Sequence, residues 1–260
     1  MTSIQIILSI ISGGMVGFTL GLLGGGGSIL AVPLLLYIVG IKDTHIVIGS
    51  TAFAVAINAY LNLIPHAKAD QVCWKPALAF AIPGTVGAFL GSTLGKFISS
   101  KQVLFLFAIF MMFMAIKMIL SKKQRKEVSY SNYQVKYTIL ITIATLVGVL
   151  SGFFGIGGGF LIVPALGFSA NLTMTESIGS SLLSVGTFGL TTAVNYSLSG
   201  LVDWWIVMEF VGGGMIGGTI GALLTKRLSK NQRILNYIFS SVVMIVAIYM
   251  LFINAISLDI

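Results

Sequence analysis

Charge is scarce in this chain. Only 8% of its 260 residues are Asp, Glu, Lys or Arg, and just seven are acidic, whereas soluble domains carry about 25% charged residues. So few charges cannot keep the surface of a chain this long in water, which excludes an ordinary soluble fold. Cysteine is nearly absent too: Cys73 is alone, so an intramolecular disulfide, a dithiol redox pair and a cysteine metal cluster are all excluded. Next to Trp74 it reads as an inert apolar side chain. The two histidines, His45 and His66, lie far apart without carboxylate or thiol companions at ligand spacing, and no metal site is expected. There is no Walker-type loop, no Ser/His/Asp arrangement and no room for a soluble nucleotide-hydrolysing domain. Enzymatic activity, cofactors and ATP-driven transport therefore have no support in the sequence.

What the chain has instead is apolar length. Hydrophobic residues make up 57% of it and the mean hydropathy is +1.02. Crossing a hydrocarbon core of about 30 Å takes about 20 helical residues, and apolar runs of that order recur along the whole chain. The expected fold class is an all-α polytopic membrane protein with the lipid bilayer as its solvent. The first run has no basic residue ahead of it and leads into glycines rather than a small-residue cleavage site, so it is expected to be retained and not removed as a signal peptide. The formal charge of +8 does not imply nucleic acid, since basic residues gather in the cytoplasmic loops of membrane proteins.

The chain repeats itself at an offset of about 130 residues. Residues 21–33 read GLLGGGGSILAVP and residues 152–164 read GFFGIGGGFLIVP, with seven of thirteen positions identical. Ile48-Gly49-Ser50 matches Ile178-Gly179-Ser180, Trp74 matches Trp204, Gly87 and Gly91 match Gly217 and Gly221, and Lys96 matches Lys226. A duplicated unit is the economical explanation. Three regions follow: an N-terminal membrane repeat 1–120, a basic linker 121–136 and a C-terminal membrane repeat 137–260. Each repeat is read as five helical segments, at 4–23, 28–41, 46–64, 76–97 and 102–120, then at 137–154, 160–168, 175–199, 204–224 and 232–253. The second segment of each is too short to span alone.

An odd number of crossings per repeat turns the second repeat upside down relative to the first. With the linker in the cytoplasm, Lys68, Lys75, Lys117, Lys122, Lys123, Arg125, Lys126, Lys136, Lys226, Arg227, Lys230 and Arg233 fall inside, and only Lys42, Lys96 and Lys101 fall outside. A parallel arrangement of four crossings per repeat would split the cations almost evenly. The positive-inside rule thus favours two inverted-topology repeats.

Four consecutive glycines, Gly24, Gly25, Gly26 and Gly27, precede the second segment of the first repeat. Gly155, Gly157, Gly158 and Gly159 do so in the second. Each helical glycine costs about 1 kcal/mol relative to alanine, so a break in the helix is expected. Irregular backbone is tolerated at membrane depth only inside protein or against a water-filled cavity. The helix that restarts after each break offers free N–H groups and the positive end of its dipole to an anion. In an inverted pair, two such tips would converge from opposite faces near the midplane. Close helix packing is the competing use of these glycines, and it is the better reading for Gly87, Gly91, Gly217 and Gly221 at small-xxx-small spacing.

The two motifs GGGGSILAVP and GIGGGFLIVP, each followed about 15 residues later by Ile-Gly-Ser, resemble those of the TauE/SafE family of sulfite exporters. The resemblance extends over nearly the whole chain and its two-half organisation. It implies transport of sulfite, sulfonates or related sulfur-containing anions across the bacterial cytoplasmic (inner) membrane.

Polar residues inside apolar spans are the remaining candidates, because they are costly there. Ser28, Ser50, Thr51 and Asn58 in the first repeat, with Ser180, Ser181 and Asn195 in the second, can donate to oxyanion oxygens without a fixed charge; for Asn58, gluing helices together is an equal alternative. Glu209 is the one acid well inside an apolar run, and it is either a proton-coupling group or an interfacial carboxylate near Trp204 and Trp205. The leading expectation is a secondary transporter, in the exporting direction, that alternates access to a small sulfur-containing anion. A passive anion channel and a membrane scaffold without substrate are the rival classes. Nothing in the sequence specifies an oligomeric state.

Overall fold

A computed structural model describes residues 2–120, 136–228 and 232–257. Most of the linker lies outside the described residues. Among those described there is no strand. The helices are α1 (Ser3–Leu23), α2 (Ala31–Pro33), α3 (Thr44–Lys68), α4 (Trp74–Phe97), α5 (Ser100–Leu120), α6 (Tyr137–Phe154), α7 (Gly159–Ser169), α8 (Met174–Ser197), α9 (Trp204–Leu228) and α10 (Gln232–Ser257). Among the described residues, seven helical segments are long and apolar enough to cross a membrane, counting Ser3–Ile38 as one. Large apolar side chains such as Ile82, Phe89, Phe113, Met208, Ile216 and Leu223 stand exposed along α4, α5 and α9. That would be untenable in water and is ordinary against lipid.

Local signals start the helices where they are needed. Thr2 with Gln5, and Thr173 with Glu176, form reciprocal capping boxes ahead of α1 and α8, and Asp43 accepts from the backbone of His45 and Ile46 ahead of α3. Each satisfies amide groups that the first helical turn leaves without partners. The segment expected as a helix over 28–41 differs in detail: Gly24–Leu30 is a 3-10 helix, and Leu34–Ile38 is a π-helical turn after Pro33. Glycines do not hold α-helical geometry well, and Pro33 lacks an N–H and crowds the carbonyl four residues back.

Both repeats begin with a hairpin. The Gln5 amide donates to the Val39 carbonyl at 3.3 Å, so the chain after the first glycine break returns to the start of α1. In the second repeat Lys136 N–H donates to Ser169 O at 3.0 Å, returning the end of α7 to the start of α6.

Glycine contacts fix the direction of the helices. A side chain at Gly13, Gly17 or Gly21 of α1 would strike the backbone at Phe210, Gly214 or Gly218 of α9, so α1 and α9 run parallel. Gly84, Gly91 and Gly95 of α4 meet Ala144, Val149 and Phe153 of α6 in the same sense. By contrast, Gly189 of α8 meets Ala52 and Ala56 of α3 while Gly186 meets Tyr60, so α3 and α8 are antiparallel. Asn58 and Asn62 of α3 lie on Gly214 and Gly218 of α9, and α8 keeps register with α4 from Ser180 near Cys73 to Asn195 near Lys96. Helices α1, α3 and α9 therefore point one way and α4, α6 and α8 the other, so equivalent helices of the repeats are opposed. The repeats are also interleaved: α1 of one packs along α4's counterpart in the other, with α3 against α8 at the centre. Backbones this close require glycine at the crossings, as expected for Gly87, Gly91, Gly217 and Gly221.

Candidate substrate site between the glycine tips

The two glycine breaks meet in the interior. Gly24 lies against Ile178 and Ser181, seven residues or fewer into α8; Gly155 lies against Ile48, near the start of α3. Since α3 and α8 are antiparallel, these contacts lie on opposite sides of the centre. From there each chain turns back toward the middle, where Gly25 and Gly159 touch backbone to backbone, and the Val185 side chain lies against both Gly25 and Gly157. Gly24, Gly25, Gly26, Gly27, Ser28, Gly155, Gly157, Gly158 and Gly159 are all buried.

The tips are built differently. Gly155, Gly157 and Gly158 have φ of +67, +65 and +64°, a left-handed conformation costing a residue with a Cβ about 1–2 kcal/mol. This tight reversal presents the N-terminus of α7, where Gly158 caps the helix without any side-chain bond. The Ser151 side chain sits against Gly158, and its hydroxyl is buried without a hydrogen-bond partner. The first tip is more self-contained. Gly25 N–H donates to Ser181 Oγ at 3.3 Å, and the Ser28 hydroxyl donates to Gly25 O at 2.8 Å. Gly27 lies against Thr19 and Leu20, whereas Gly26 has only ordinary contacts with Leu23 and Phe160.

The other candidates are more scattered. Thr51 donates back to Val47 O and Ile48 O within its own helix, a common use of a membrane threonine. Ser50 Oγ accepts Asp203 N–H and Ser180 Oγ accepts Cys73 N–H, each at 2.9 Å. This symmetric pair tethers the entrances of α9 and α4 to the opposite repeat. Asn58 is fully buried against Gly214 with neither amide atom partnered. Asn195 sits near the far end of α8, donating to Ser92 and Thr93 and accepting from Lys96. Glu209 is beside Ser9 of α1 in the second turn of α9, and its Oε2 is buried without a partner. The structure thus brings together the glycines, Ser28 and Ser181, and leaves Asn58, Asn195 and Glu209 apart from them. Ser151 and Val185 were not among the sequence candidates. Ser151 stands where the first repeat has Leu20, and that departure beside a glycine motif was the available signal. No group of three or more His, Cys, Asp or Glu residues that could hold a metal occurs among the described residues.

A multi-pass helical bundle whose interior is closed by two glycine tips is the class of protein defined so far. The family model described as "Sulfite exporter TauE/SafE" matches residues 9–250, and the chain belongs to that family. A "Probable membrane transporter protein" of Xylella fastidiosa (strain Temecula1) is 49% identical over 252 residues, covering 96% of this chain and 97% of the relative. The "Probable membrane transporter protein YunE" of Bacillus subtilis (strain 168) is 26% identical, covering 83% and 87%. A "Probable membrane transporter protein" of Haemophilus influenzae is 30% identical, covering 75% of each. No solved structure matches. The protein is a membrane transporter of this family.

Proposed function

We propose that this protein is a secondary transporter that exports a small sulfur-containing anion, of the sulfite, sulfonate or sulfoacetate class, by alternating access. The observation that carries the reading is the meeting of two glycine tips, entering from opposite faces, at Gly25 and Gly159 beside Val185. An anion there meets backbone N–H groups and a helix N-terminus rather than a fixed cation, which suits release as well as binding. The tips touch, so loading requires them to separate, and separation toward either face in turn is what two opposed repeats permit. The family's description as sulfite exporters supports the anion class. The linker lies in the cytoplasm on this reading, together with the ends of α3, α5 and α9 and the starts of α4, α6 and α8. Lys68, Lys75, Lys117 and Lys136 fall on that face and Lys42, Lys96 and Lys101 on the other.

Glu209 is the proton-coupling group in this scheme, because it is a buried-edge carboxylate whose Oε2 lacks a partner. Flux into liposomes of sulfite, sulfoacetate, taurine and thiosulfate, each with and without a proton gradient, tests the proposal. Saturable, gradient-dependent flux of at least one anion is expected, and Glu209→Gln should flatten its response to the gradient. Silence toward all four would refute the transport reading; flux that never saturates would replace the carrier by a channel.

A further inference from the structure

At the linker-distal face, directly beside the second glycine tip, a cation with neutral acceptors lies near two buried polar atoms without hydrogen-bond partners. Lys96, in the last turn of α4, gives its ammonium to three neutral oxygens: Asn195 Oδ1 at 2.8 Å, Ser199 Oγ at 2.9 Å and Asn195 O at 3.1 Å. Asn195 is held in that orientation by its own bonds to Ser92 Oγ and Thr93 Oγ1, at 2.7 and 2.9 Å. Among the described residues no carboxylate joins this network, and the acceptors that meet the ammonium are neutral. One residue back, Gly95 lies against the Tyr196 hydroxyl. Tyr196 is fully buried, and its hydroxyl has no hydrogen-bond partner. The His45 ring lies 6.3 Å from the Tyr196 ring, centroid to centroid, and its Nδ1 is likewise buried and unpartnered. A buried polar atom left unpaired costs about 1–3 kcal/mol, and two of them in one cluster demand a reason.

The place is also suggestive. Gly95 abuts the Phe153 carbonyl in the last turn of α6, just before Gly155, and the Tyr196 side chain packs on Gly49, next to the Ile48 that supports Gly155. The cluster is therefore the floor beneath the second tip. The acids at the neighbouring helix starts each direct one oxygen to their own helix: Asp43 Oδ1 accepts from the amides of His45 and Ile46, and Asp203 Oδ1 from those of Trp205 and Ile206. The equivalent position on the opposite face is satisfied. The repeat counterpart of Tyr196 is His66, whose two ring nitrogens are within hydrogen-bond distance of Gly21 O at 3.1 Å and Gln71 Oε1 at 2.6 Å.

We propose that Lys96, Tyr196 and His45 form a second anion site, a vestibule on the linker-distal face that holds a small inorganic anion on its way to or from the glycine tips. The ammonium supplies the charge, the phenol supplies a free hydrogen, and the imidazole Nδ1 supplies a second in the tautomer that protonates it. The vestibule's role in transit rests on the carrier reading above, but its binding does not, and bromide serves as a probe that does not depend on the transported anion. The experiment measures stabilisation of the purified full-length protein against heat by bromide and by sulfite. Tyr196→Phe removes an unsatisfied hydroxyl, so its melting temperature without anion should equal or exceed wild type. Its half-saturating bromide concentration should nevertheless rise about tenfold, the loss of one hydrogen bond to a charged group. Lys96→Gln should do the same and Lys96→Arg should restore binding, whereas Gly26→Ala should leave the bromide effect intact. Bromide stabilisation that is absent in the wild type, or equal in wild type, Tyr196→Phe and Lys96→Gln, overturns the vestibule. Normal bromide behaviour with no flux of any sulfur anion would instead remove the carrier reading and leave the vestibule standing.

Discussion

Gly26 offers the cleanest separation of binding from packing. A Cβ built there lies 3.6 Å from Leu23 Cβ and 3.9 Å from Phe160 Cβ, ordinary contacts that need no adjustment. Alanine in a helical position gains up to about 1 kcal/mol over glycine, so Gly26→Ala should melt at or slightly above the wild-type temperature. The added methyl group nevertheless stands between Leu23 and Phe160, where an anion would approach the first tip. Losing one backbone N–H bond to a charged ligand is worth about 1.5–3 kcal/mol, or a tenfold to hundredfold loss of affinity. Gly91→Ala is the contrast. Its Cβ would land on the Val149 carbonyl oxygen, with the Val149 carbonyl carbon at 2.7 Å and Cα at 2.9 Å, forcing α4 and α6 apart at an overpacking cost of about 1–3 kcal/mol. Purified variants should be compared by melting temperature without ligand and by the sulfite concentration needed for half-maximal stabilisation. Gly26→Ala should shift only the second and Gly91→Ala mainly the first. A Gly26→Ala protein that takes up sulfite as the wild type does would refute the placement of the anion at this tip.

Further outcomes follow from other contacts. Ser50→Ala or Ser180→Ala leaves the N–H of Asp203 or Cys73 without its acceptor, and each should cost about 1–3 kcal/mol of stability, seen as a lower melting temperature in detergent; unchanged melting would remove their tethering role. Burial, reinforced by the Glu176 carboxylate, pushes the Cys73 thiol up to about 11. The thiolate is the reactive form, so maleimide labelling should be slow at neutral pH and speed up about tenfold per pH unit until that value is approached; a rate already at its plateau near pH 8 would contradict this. Single cysteines at Lys101 and Lys230, in a Cys73→Ser background, should react from opposite sides of the membrane, the second from the cytoplasm. Labelling of both from one side would exclude opposed repeats.

Much of this architecture is legible in the sequence because membrane helices declare themselves by length and hydropathy, and because duplication prints each landmark twice. The glycine runs also announce the helix breaks, since four consecutive residues of poor helix propensity admit few alternatives. What sequence could not supply is the pairing between repeats. Ser50 and Ser180 stand at the repeat register expected of binding residues, yet their hydroxyl oxygens accept from the backbone of Asp203 and Cys73, 153 and 107 residues away. Asn195 looks like a lone amide in an apolar helix, but its partners lie on α4 about 100 residues earlier. The glycines and Pro33 announce that Gly24–Ile38 departs from a regular α-helix, but not that a 3-10 helix comes first and a π-helical turn follows. For Ser151 the only sequence signal is that it replaces Leu20 of the first repeat, and its significance comes from lying on Gly158.

The carrier reading is tested most directly by counterflow. Liposomes containing the wild-type protein are loaded with concentrated unlabelled sulfite and diluted into a trace of radiolabelled sulfite. If the tips open to one face at a time, labelled sulfite should accumulate transiently above its external concentration as the unlabelled pool leaves, and Gly26→Ala should blunt that overshoot. Label that merely rises to equilibrium without an overshoot would mean a path open to both faces at once, contradicting alternating access between the two glycine tips.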